Sequence, residues 1–347
     1  VREKKGRWFT GLKARKLLPD DEKGDFLRYV QCCSIMATAV RRLHFAGLAH
    51  SDLSHNNVLI DPKHGDACVI DIDSLVVPGL APPSVLGTPG YIAPEVVTGK
   101  ALPSIETDLH ALAVLIYETL LLRHPLQGPK IHSKSPEEDE LLAMGQNALY
   151  IEHPTDKSNH PKEAPEIPVA RLGSHLEGLF QKTFVDGLHN PRMRATASEW
   201  EKALTKTLDL IHTSPDGKQW FIVTRGMSKQ CPHPPRPWPA AIPIVDLFRE
   251  KGGGAYSDEQ HSITVWNNRY LYKWHMFSNV SPQQSDREPQ AYFSYYQDKW
   301  WMVNQSGHDM IIVDEQEYLR DGHAVEINEG LKVLMSPEDS GRLAIFD

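Results

Sequence analysis

The chain has 347 residues, of which 40% are hydrophobic and 24% are charged, and its formal net charge is −8. This length is enough for two domains, and the composition is that of a folded globular protein rather than a disordered one. The negative charge gives no electrostatic basis for nucleic-acid binding, and no apolar run reaches the roughly 20 residues that a membrane span needs. The few cysteines and the lack of a signal-peptide pattern favour a reducing, cytoplasmic setting.

Helical periodicity dominates residues 20–212. Apolar residues recur at spacings of three and four along one predicted helix, and Gly47 stands where that helix should end: Phe26, Val30, Cys33, Ala37 and Val40. A second predicted helix, 107–122, is apolar nearly all round and is therefore expected to be buried. Residues 127–168 are rich in His, Pro, Ser and charge, which predicts a surface insertion around one short helix near 137–148.

Polar residues between these helices form a pattern suited to phosphoryl transfer. Asp52 is followed five residues later by Asn57, then by an apolar run and a turn at 61–66. A second apolar run ends on Asp71, so a hairpin would place Asn57 and Asp71 on one side of a cleft, facing a common metal. Because Asp and Asn also fill turns and caps, this pattern alone leaves both interpretations open.

The segments around these residues, together with four later ones, resemble the protein kinase superfamily. His50–Asn57 (HSDLSHNN) matches its catalytic loop, and Asp71-Ile72-Asp73 occupies the place of its metal-binding Asp-Phe-Gly. Four later segments match in the same order: Gly87–Glu95 (GTPGYIAPE), Thr107–Val114 (TDLHALAV), Arg123–Leu126 (RHPL) and Asn190–Ala197 (NPRMRATA). The resemblance implies a mainly helical kinase large lobe over residues 1–212.

The resemblance also implies roles for single residues. Asp52 would accept or orient the proton of the substrate hydroxyl, while Asn57 and Asp71 would hold the Mg²⁺ that accompanies ATP. Five further residues would act on the surroundings of the site: Asp108 by anchoring the catalytic-loop backbone, Glu95 and Arg194 by forming a buried ion pair, Thr88 by lying beside Asp52 as in serine/threonine kinases, and His50 by packing and hydrogen bonding. The implied partners are protein substrates.

Several positions depart from the kinase pattern. Ser51 replaces an Arg that pairs with a loop phosphate, Ser54 replaces a Lys near the transferred phosphoryl group, and Asp73 replaces a flexible Gly. The residues before Asp52 contain no glycine-rich loop and no Val-Ala-x-Lys strand, so we expect this chain to lack the small lobe that clamps ATP. Two alternatives to a protein kinase therefore stay open: a pseudokinase scaffold and a phosphotransferase acting on small molecules.

The remainder of the chain changes character. Five prolines between Cys231 and Pro239 predict an extended linker within residues 213–243. Residues 244–347 carry short strand-like runs that predict a small all-β sandwich: Ser262–Trp266, Tyr270–Phe277, Ala291–Tyr296, Trp300–Asn304, Met310–Asp314, Ala324–Asn328, Leu331–Met335 and Arg342–Phe346. Gly252, Gly253 and Gly254 are expected to form a plain loop. The fold class predicted for the chain is α+β and multidomain.

This tail weakly resembles the second half of a forkhead-associated domain. Asn304, the turn at Gly307 and the run Leu319–Val325 carry the resemblance, whereas Gln290 stands where a phosphothreonine-binding His is expected. Phosphopeptide binding is thus one hypothesis for the tail, and general protein docking is another. The whole arrangement resembles bacterial kinases of tellurium-resistance-type gene clusters, which suggests von Willebrand A-type and phosphatase-type partner proteins.

Overall fold

A computed structural model of the chain describes residues 19, 22–77, 86–165, 167–214, 219–224, 242–282 and 287–347. Spatial proximity of Cα atoms divides the chain into a first unit, Val1–Leu208, and a second unit, Asp209–Asp347. No helix within those described ranges is long and apolar enough to cross a membrane.

The first unit is mainly helical and contains one small antiparallel hairpin. Its elements in chain order are α1 (Phe26–Phe45), β1 (Val58–Asp61), β2 (Asp66–Val69), α2 (Pro94–Val97), α3 (Ile105–Leu121), α4 (Pro136–Met144), α5 (Gly173–Gln181) and α6 (Ala197–Leu210). The last residues of α6 are grouped with the second unit.

Helix α1 forms as its apolar periodicity predicts. The Asp25 side chain accepts the backbone N–H of Arg28 at 2.9 Å, which satisfies one of the free donors at the helix start. The helix ends at Phe45, and Gly47 follows with a φ of 74°, a conformation that glycine adopts without strain. The five predicted apolar positions include Val30, Cys33, Ala37 and Val40, all fully buried.

Helix α3 is the buried centre of the first unit, as predicted, and starts two positions earlier than the periodicity suggested. Ser104 caps it, because its backbone N–H donates to the Thr107 hydroxyl at 2.8 Å. An aromatic group packs around Tyr117, with ring centroids 4.8–6.1 Å apart among Tyr117, Tyr150, Phe180, Phe184 and Trp200. This packing fixes the helix from which both Asp108 and Glu118 project.

The insertion, residues 127–168, is held by hydrogen bonds within itself and to residues 123–126, which follow α3. Asn159 is 4% exposed, and its Nδ2 donates to the carbonyls of Leu126 at 3.1 Å and Leu149 at 2.7 Å. Arg123 Nη2 lies 2.5 Å from Glu152 Oε1. The predicted short helix is α4, which begins at Pro136 and ends at Met144 rather than at 148.

The second unit is an all-β region with one short helix. Its elements are β3 (Ile211–Thr213), β4 (Trp220–Ile222), β5 (Ile244–Gly252), β6 (Ala255–Thr264), β7 (Tyr270–Tyr272), α7 (Lys273–Met276), β8 (Pro289–Tyr296), β9 (Lys299–Asn304), β10 (Met310–Ile312), β11 (Glu317–Leu319), β12 (Ala324–Glu326), β13 (Lys332–Leu334) and β14 (Arg342–Phe346). Strands β3 and β4 form a hairpin, of which β4 and the last residue of β3 lie inside the predicted linker, residues 213–243. The proline-rich run from Cys231 lies outside the described residues, so the linker stays a prediction.

Two antiparallel sheets share one apolar core. The six-stranded sheet has the order β11-β10-β13-β14-β5-β6, and the four-stranded sheet has the order β12-β9-β8-β7. Leu247 and Val333 of the first sheet and Phe293 and Met302 of the second belong to the same buried cluster. Gly253 and Gly254 form the turn between β5 and β6, as predicted, whereas Gly252 is the last residue of β5 rather than part of the loop.

One strand prediction was wrong in its second half, and four of the strands described in the second unit were not predicted. The run Tyr270–Phe277 is a strand only to Tyr272, where the backbone N–H donates to His275 Nδ1 at 2.9 Å and starts helix α7. This local side-chain bond gives the backbone an alternative to the sheet. The unpredicted strands are β3, β4, β5 and β11.

A buried polar cluster lies at the start of the second unit. Asp209 Oδ1 accepts a hydrogen bond from Arg269 Nη2 at 2.8 Å, and its Oδ2 lies 2.7 Å from His261 Nε2 and 3.2 Å from His275 Nε2. Burial by itself would raise the pKa of Asp209. The charge interactions and hydrogen bonds of His275 and His261 outweigh burial and hold that pKa well below its usual range.

Candidate active site

The backbone of the loop that carries Asp52 is held by a buried carboxylate. Asp108, on α3, accepts the backbone N–H of His50 at 2.6 Å through Oδ2 and that of Ser51 at 3.1 Å through Oδ1. Ser51 has a φ of 63°, a left-handed conformation that costs energy for a residue other than glycine. Because charge-assisted hydrogen bonds are strong, the Asp108 carboxylate can hold the loop in this shape.

The Asp52 carboxylate is held from two sides. Thr88 Oγ1 donates to Asp52 Oδ1 at 2.7 Å, and Asn57 Nδ2 donates to Asp52 Oδ2 at 3.1 Å. Asn57 Nδ2 also donates to the Asp52 carbonyl at 2.8 Å. The carboxylate is half-buried, so it is oriented by these donors yet reachable from outside.

The hairpin β1–β2 brings Asn57 next to the residue before Asp71. The backbone N–H of Ile70 donates to the Asn57 carbonyl at 2.9 Å, and His50 Nε2 lies 2.8 Å from the Ile70 carbonyl. Asp71 follows with φ 60° and ψ 55° and is exposed. A left-handed aspartate is uncommon, and such conformations concentrate at functional sites.

The side chains of Asn57 and Asp71 fit a magnesium ion. Both amide hydrogens of Asn57 face acceptors on Asp52. This leaves the Asn57 Oδ1 atom available as a metal ligand. Carboxylate and amide oxygens are the ligands that Mg²⁺ prefers, and Mg²⁺ is commonly held by one or two carboxylates plus phosphate oxygens. Within the described part of the chain, no group of three or more His, Cys, Asp or Glu is placed to hold a metal ion.

The segment Gly87–Glu95 lies against the Asp52 loop. A Cβ added to Gly87, whose φ is 110°, would lie 3.2 Å from the Ser51 carbonyl oxygen, so the approach requires a glycine. The Tyr91 hydroxyl donates to the Glu118 carboxylate. A small pocket beside Asp52 is bordered by Leu86, Thr88, Tyr91 and Ile92 among others.

An ion pair joins the end of this segment to the last part of the first unit. Arg194 Nη1 and Nη2 donate to Glu95 Oε1 and Oε2, both at 2.7 Å, which is the bidentate geometry of a strong pair. The Arg194 side chain is fully buried, and its Nε also donates to the Gly187 carbonyl at 2.9 Å. The bridge therefore links α2 to the turn before α6.

The atypical positions of the loop are not equivalent. Ser54, where the resemblance led us to expect a Lys, is completely buried and its hydroxyl accepts the Asn56 N–H at 3.3 Å. Ser51 is also buried, whereas Asp73 is exposed. A buried hydroxyl at position 54 brings no positive charge to the surroundings of Asp52.

Sequence reasoning missed three contacts of this site. Neither the bond between Tyr91 and Glu118 nor the approach of His44 Nε2 to Asp108 Oδ2, at 3.1 Å, was predicted. The third is the contact of His124 Nε2 with the Gly90 carbonyl, at 2.7 Å. One signal was present, because Glu118 is a charged residue inside the mostly apolar stretch 109–122, and such residues are rarely buried without a partner.

With this geometry established, comparison with known proteins gives the class of protein. The family model of the protein kinase domain matches residues 6–205, which is more than half of the chain. The chain therefore belongs to the protein kinase family.

Particular relatives match shorter shares. Serine/threonine-protein kinase PknD of Chlamydia muridarum is 26% identical over 247 residues, covering 62% of this chain and 24% of that protein. The probable serine/threonine-protein kinase CCRP1 of Zea mays is 34% identical over 124 residues, covering 33% of this chain and 18% of the relative. The maternal embryonic leucine zipper kinase of Danio rerio is 32% identical over 119 residues, covering 33% and 17%. The chain thus spans about a quarter or less of the length of these curated relatives.

Proposed function

We propose that the first unit transfers the γ-phosphate of ATP to serine or threonine hydroxyls of protein substrates. The observation that carries this proposal is the orientation of the Asp52 carboxylate by Thr88 at 2.7 Å and Asn57 at 3.1 Å, on a loop whose backbone is bonded to Asp108. Phosphoryl transfer depends chiefly on positioning and electrostatic stabilisation, and a carboxylate held in this way can orient an attacking hydroxyl.

In the reaction, the acceptor oxygen forms a bond to the γ-phosphorus while the bond to the leaving ADP oxygen breaks. Asp52 orients the hydroxyl and takes up its proton. When bound, Mg²⁺ would neutralise the charge of the ATP phosphates, and Asn57 Oδ1 and the Asp71 carboxylate are the groups of this chain that would hold it. Thr88 keeps one carboxylate oxygen of Asp52 in place.

The supporting residues act indirectly, because they position the loop and the segment around Asp52. Asp108 holds the loop by the backbone of His50 and Ser51, and His50 reaches the Ile70 carbonyl at 2.8 Å, next to Asp71. Glu95 and Arg194 brace the segment on which a protein substrate would lie.

Transfer of radiolabelled phosphate from ATP tests the proposal. This chain and any longer natural protein that contains it are incubated with Mg²⁺ and an acceptor such as casein, in parallel with Asp52→Asn and Asp61→Asn. The second variant makes the same change of charge on an exposed turn carboxylate of the hairpin and should label like the wild type. Equal incorporation by wild type and Asp52→Asn, or none in either, contradicts a kinase.

A scaffold without transfer activity is the second candidate, favoured by the buried Ser54 and the exposed Asp73 of the atypical loop. A scaffold would retain its partner proteins in the Asp52→Asn form and would label nothing. A panel of small hydroxyl compounds in the same transfer assay separates protein substrates from small-molecule ones.

For the second unit we propose protein docking. The two-sheet sandwich and the turn at Gly307 support the forkhead-associated resemblance: Asn304 Nδ2 donates to the carbonyls of His308 at 2.7 Å and Leu319 at 2.8 Å, and Gly307 N donates to Asp321 at 3.0 Å. Retention on a phosphothreonine peptide library, compared with the unphosphorylated library, tests a phosphopeptide function. The resemblance to tellurium-resistance-type kinases supports von Willebrand A-type and phosphatase-type proteins as partners for co-purification.

A further inference from the structure

His124 makes hydrogen bonds both to Leu126, which immediately precedes the insertion, and to Gly90 in the segment beside Asp52. It is 3% exposed, its Nε2 lies 2.7 Å from the Gly90 carbonyl oxygen, and its Nδ1 accepts the backbone N–H of Leu126 at 3.1 Å. A neutral imidazole has one donor and one acceptor. Because Nδ1 is the acceptor, the hydrogen is on Nε2, which donates to Gly90.

Gly90 is a point where the segment could otherwise rotate. Its φ is 90°, a conformation that glycine adopts without strain, so no side chain of its own restricts the backbone there. On one side, Thr88 Oγ1 contacts Asp52 and the Thr88 carbonyl accepts the Tyr91 N–H at 3.0 Å. On the other side, the Tyr91 hydroxyl is bonded to Glu118. A donor to the Gly90 carbonyl therefore fixes the turn that orients Thr88.

We propose that His124 is a positioning residue for phosphoryl transfer, acting through Gly90 on the Thr88–Asp52 contact and on the surface that receives the acceptor protein. The inference rests on the proposed kinase function. His124 itself contacts the turn and Leu126, so its effect reaches the reaction only through the orientation of Thr88 and Asp52.

The nucleotide side of the site is held by other bonds. Asn57 and Asp71 are placed by the Ile70–Asn57 backbone bond of 2.9 Å and the His50 contact with the Ile70 carbonyl at 2.8 Å. Loss of the His124 bond should therefore raise the KM for the protein substrate and lower kcat, while leaving the KM for ATP near its wild-type value.

Three substitutions distinguish the role of the Nε2 donor from that of the Nδ1 acceptor. His124→Gln keeps a donor that can reach the Gly90 carbonyl, His124→Asn keeps only the acceptor for Leu126, and His124→Phe keeps the ring without either. For the protein substrate we expect kcat/KM to fall about tenfold in the Asn and Phe variants, and to stay within about threefold of wild type in the Gln variant. Equal losses in Gln and Asn would overturn the proposal.

Hydrogen exchange gives a readout that does not need turnover. The Tyr91 amide is bonded to the Thr88 carbonyl, so its exchange should become about tenfold faster in His124→Asn and remain near wild type in His124→Gln. Unchanged exchange in His124→Asn overturns the positioning role. Faster exchange together with wild-type kinetics overturns its link to transfer. A wild type that matches Asp52→Asn refutes the proposed kinase, while exchange still decides whether His124 fixes the turn.

A matched control comes from another histidine in the insertion. His160 Nε2 makes the same kind of contact with a backbone carbonyl, that of His153, at 2.9 Å, and both of these residues belong to the insertion. His160→Asn should leave both kcat/KM and the exchange of the Tyr91 amide at wild-type values. Equal effects of His160→Asn and His124→Asn would show a general loss of stability and contradict the proposal.

Discussion

Thr88 and Asp52 are 36 residues apart in the chain, yet Thr88 Oγ1 donates to Asp52 Oδ1 at 2.7 Å. The other oxygen of the same carboxylate accepts from Asn57 at 3.1 Å. Each donor satisfies one oxygen, so the plane of the carboxylate is fixed before any substrate binds. Such preorganisation lowers the cost of reaching the transition state.

Removal of the Thr88 hydroxyl should slow transfer. Thr88→Val keeps the shape of the side chain but leaves Asp52 Oδ1 without this donor, so we expect kcat to fall about 10- to 100-fold at saturating ATP. Thr88→Ser retains the hydroxyl and should stay within a few-fold of wild type, which makes it the control. Initial rates of phosphate incorporation measure both variants, and a valine variant as fast as wild type would contradict the role.

The ion pair of Glu95 with Arg194 should contribute more to the free energy of unfolding of the first unit than a surface ion pair does. Glu95→Gln leaves the fully buried Arg194 guanidinium without its counter-charge, which should lower the free energy of unfolding by about 3–5 kcal/mol. Urea unfolding followed by helical circular dichroism measures this loss. In the partly exposed pair of Lys182 with Glu199, Glu199→Gln should cost at most about 1 kcal/mol. Equal losses in the two variants would count against the buried pair.

The parts of the site that lie close together in sequence were predictable, whereas its long-range contacts were not. The spacing of Asp52 and Asn57 indicated the loop, and two apolar runs around a turn indicated the hairpin that leads to Asp71. Helix α3 was predicted because its apolar residues cover all faces. The contact of His124 with Gly90 could not be predicted, because it joins residues 34 positions apart through a turn whose geometry depends on the packed fold.

The second unit shows the same limit at the level of secondary structure. Alternating or apolar runs indicated most of its strands, with β14 placed at Arg342–Phe346 to the residue. The run after Tyr272 has strand-like composition, but a side-chain bond from His275 turns it into a helix. Asp209 gave no sequence signal, since its partners Arg269, His261 and His275 come from much later in the chain.

Acid should destabilise the first unit through His110. Burial, with the charge of Arg194 adding to it, lowers the pKa of His110 well below its usual range. Below about pH 6.5 the unfolded chain takes up a proton on this histidine and the folded chain does not, so the free energy of unfolding falls by up to about 1.4 kcal/mol per pH unit. His110→Phe should remove this contribution to the slope between pH 6.5 and 5.

One measurement on three proteins separates the effect of His110 titration from the effect of its packing. Urea unfolding at several pH values gives the slope for wild type and for His110→Phe. Phe184→Leu is the control, because Phe184 packs edge-to-face on His110 with centroids 5.9 Å apart. That variant should lower stability at every pH yet keep the wild-type slope. An unchanged slope in His110→Phe would contradict the assignment.

The polar cluster of the second unit should behave as one charged pair, Asp209 with Arg269, supported by contacts from His261 and His275. Asp209→Asn removes the counter-charge of Arg269, which is 9% exposed, and should lower the free energy of unfolding of the second unit by about 3–5 kcal/mol. Arg269→Met should cost a similar amount, because it leaves the buried Asp209 carboxylate without its strongest partner. Tryptophan fluorescence during urea unfolding reports mainly on this unit, because six of the eight tryptophans lie within it and only Trp8 and Trp200 lie in the first unit.

The double variant decides whether the two side chains act together. When both charges are removed, neither is left buried alone, so Asp209→Asn with Arg269→Met should cost less than the sum of the single losses by about 2 kcal/mol or more. Lys332 and Asp314 form an exposed pair, with nitrogen and oxygen 3.0 Å apart, in which the corresponding cycle should give a coupling below about 1 kcal/mol. Additive losses at Asp209 and Arg269 would mean that the two histidines, rather than the arginine, satisfy the carboxylate.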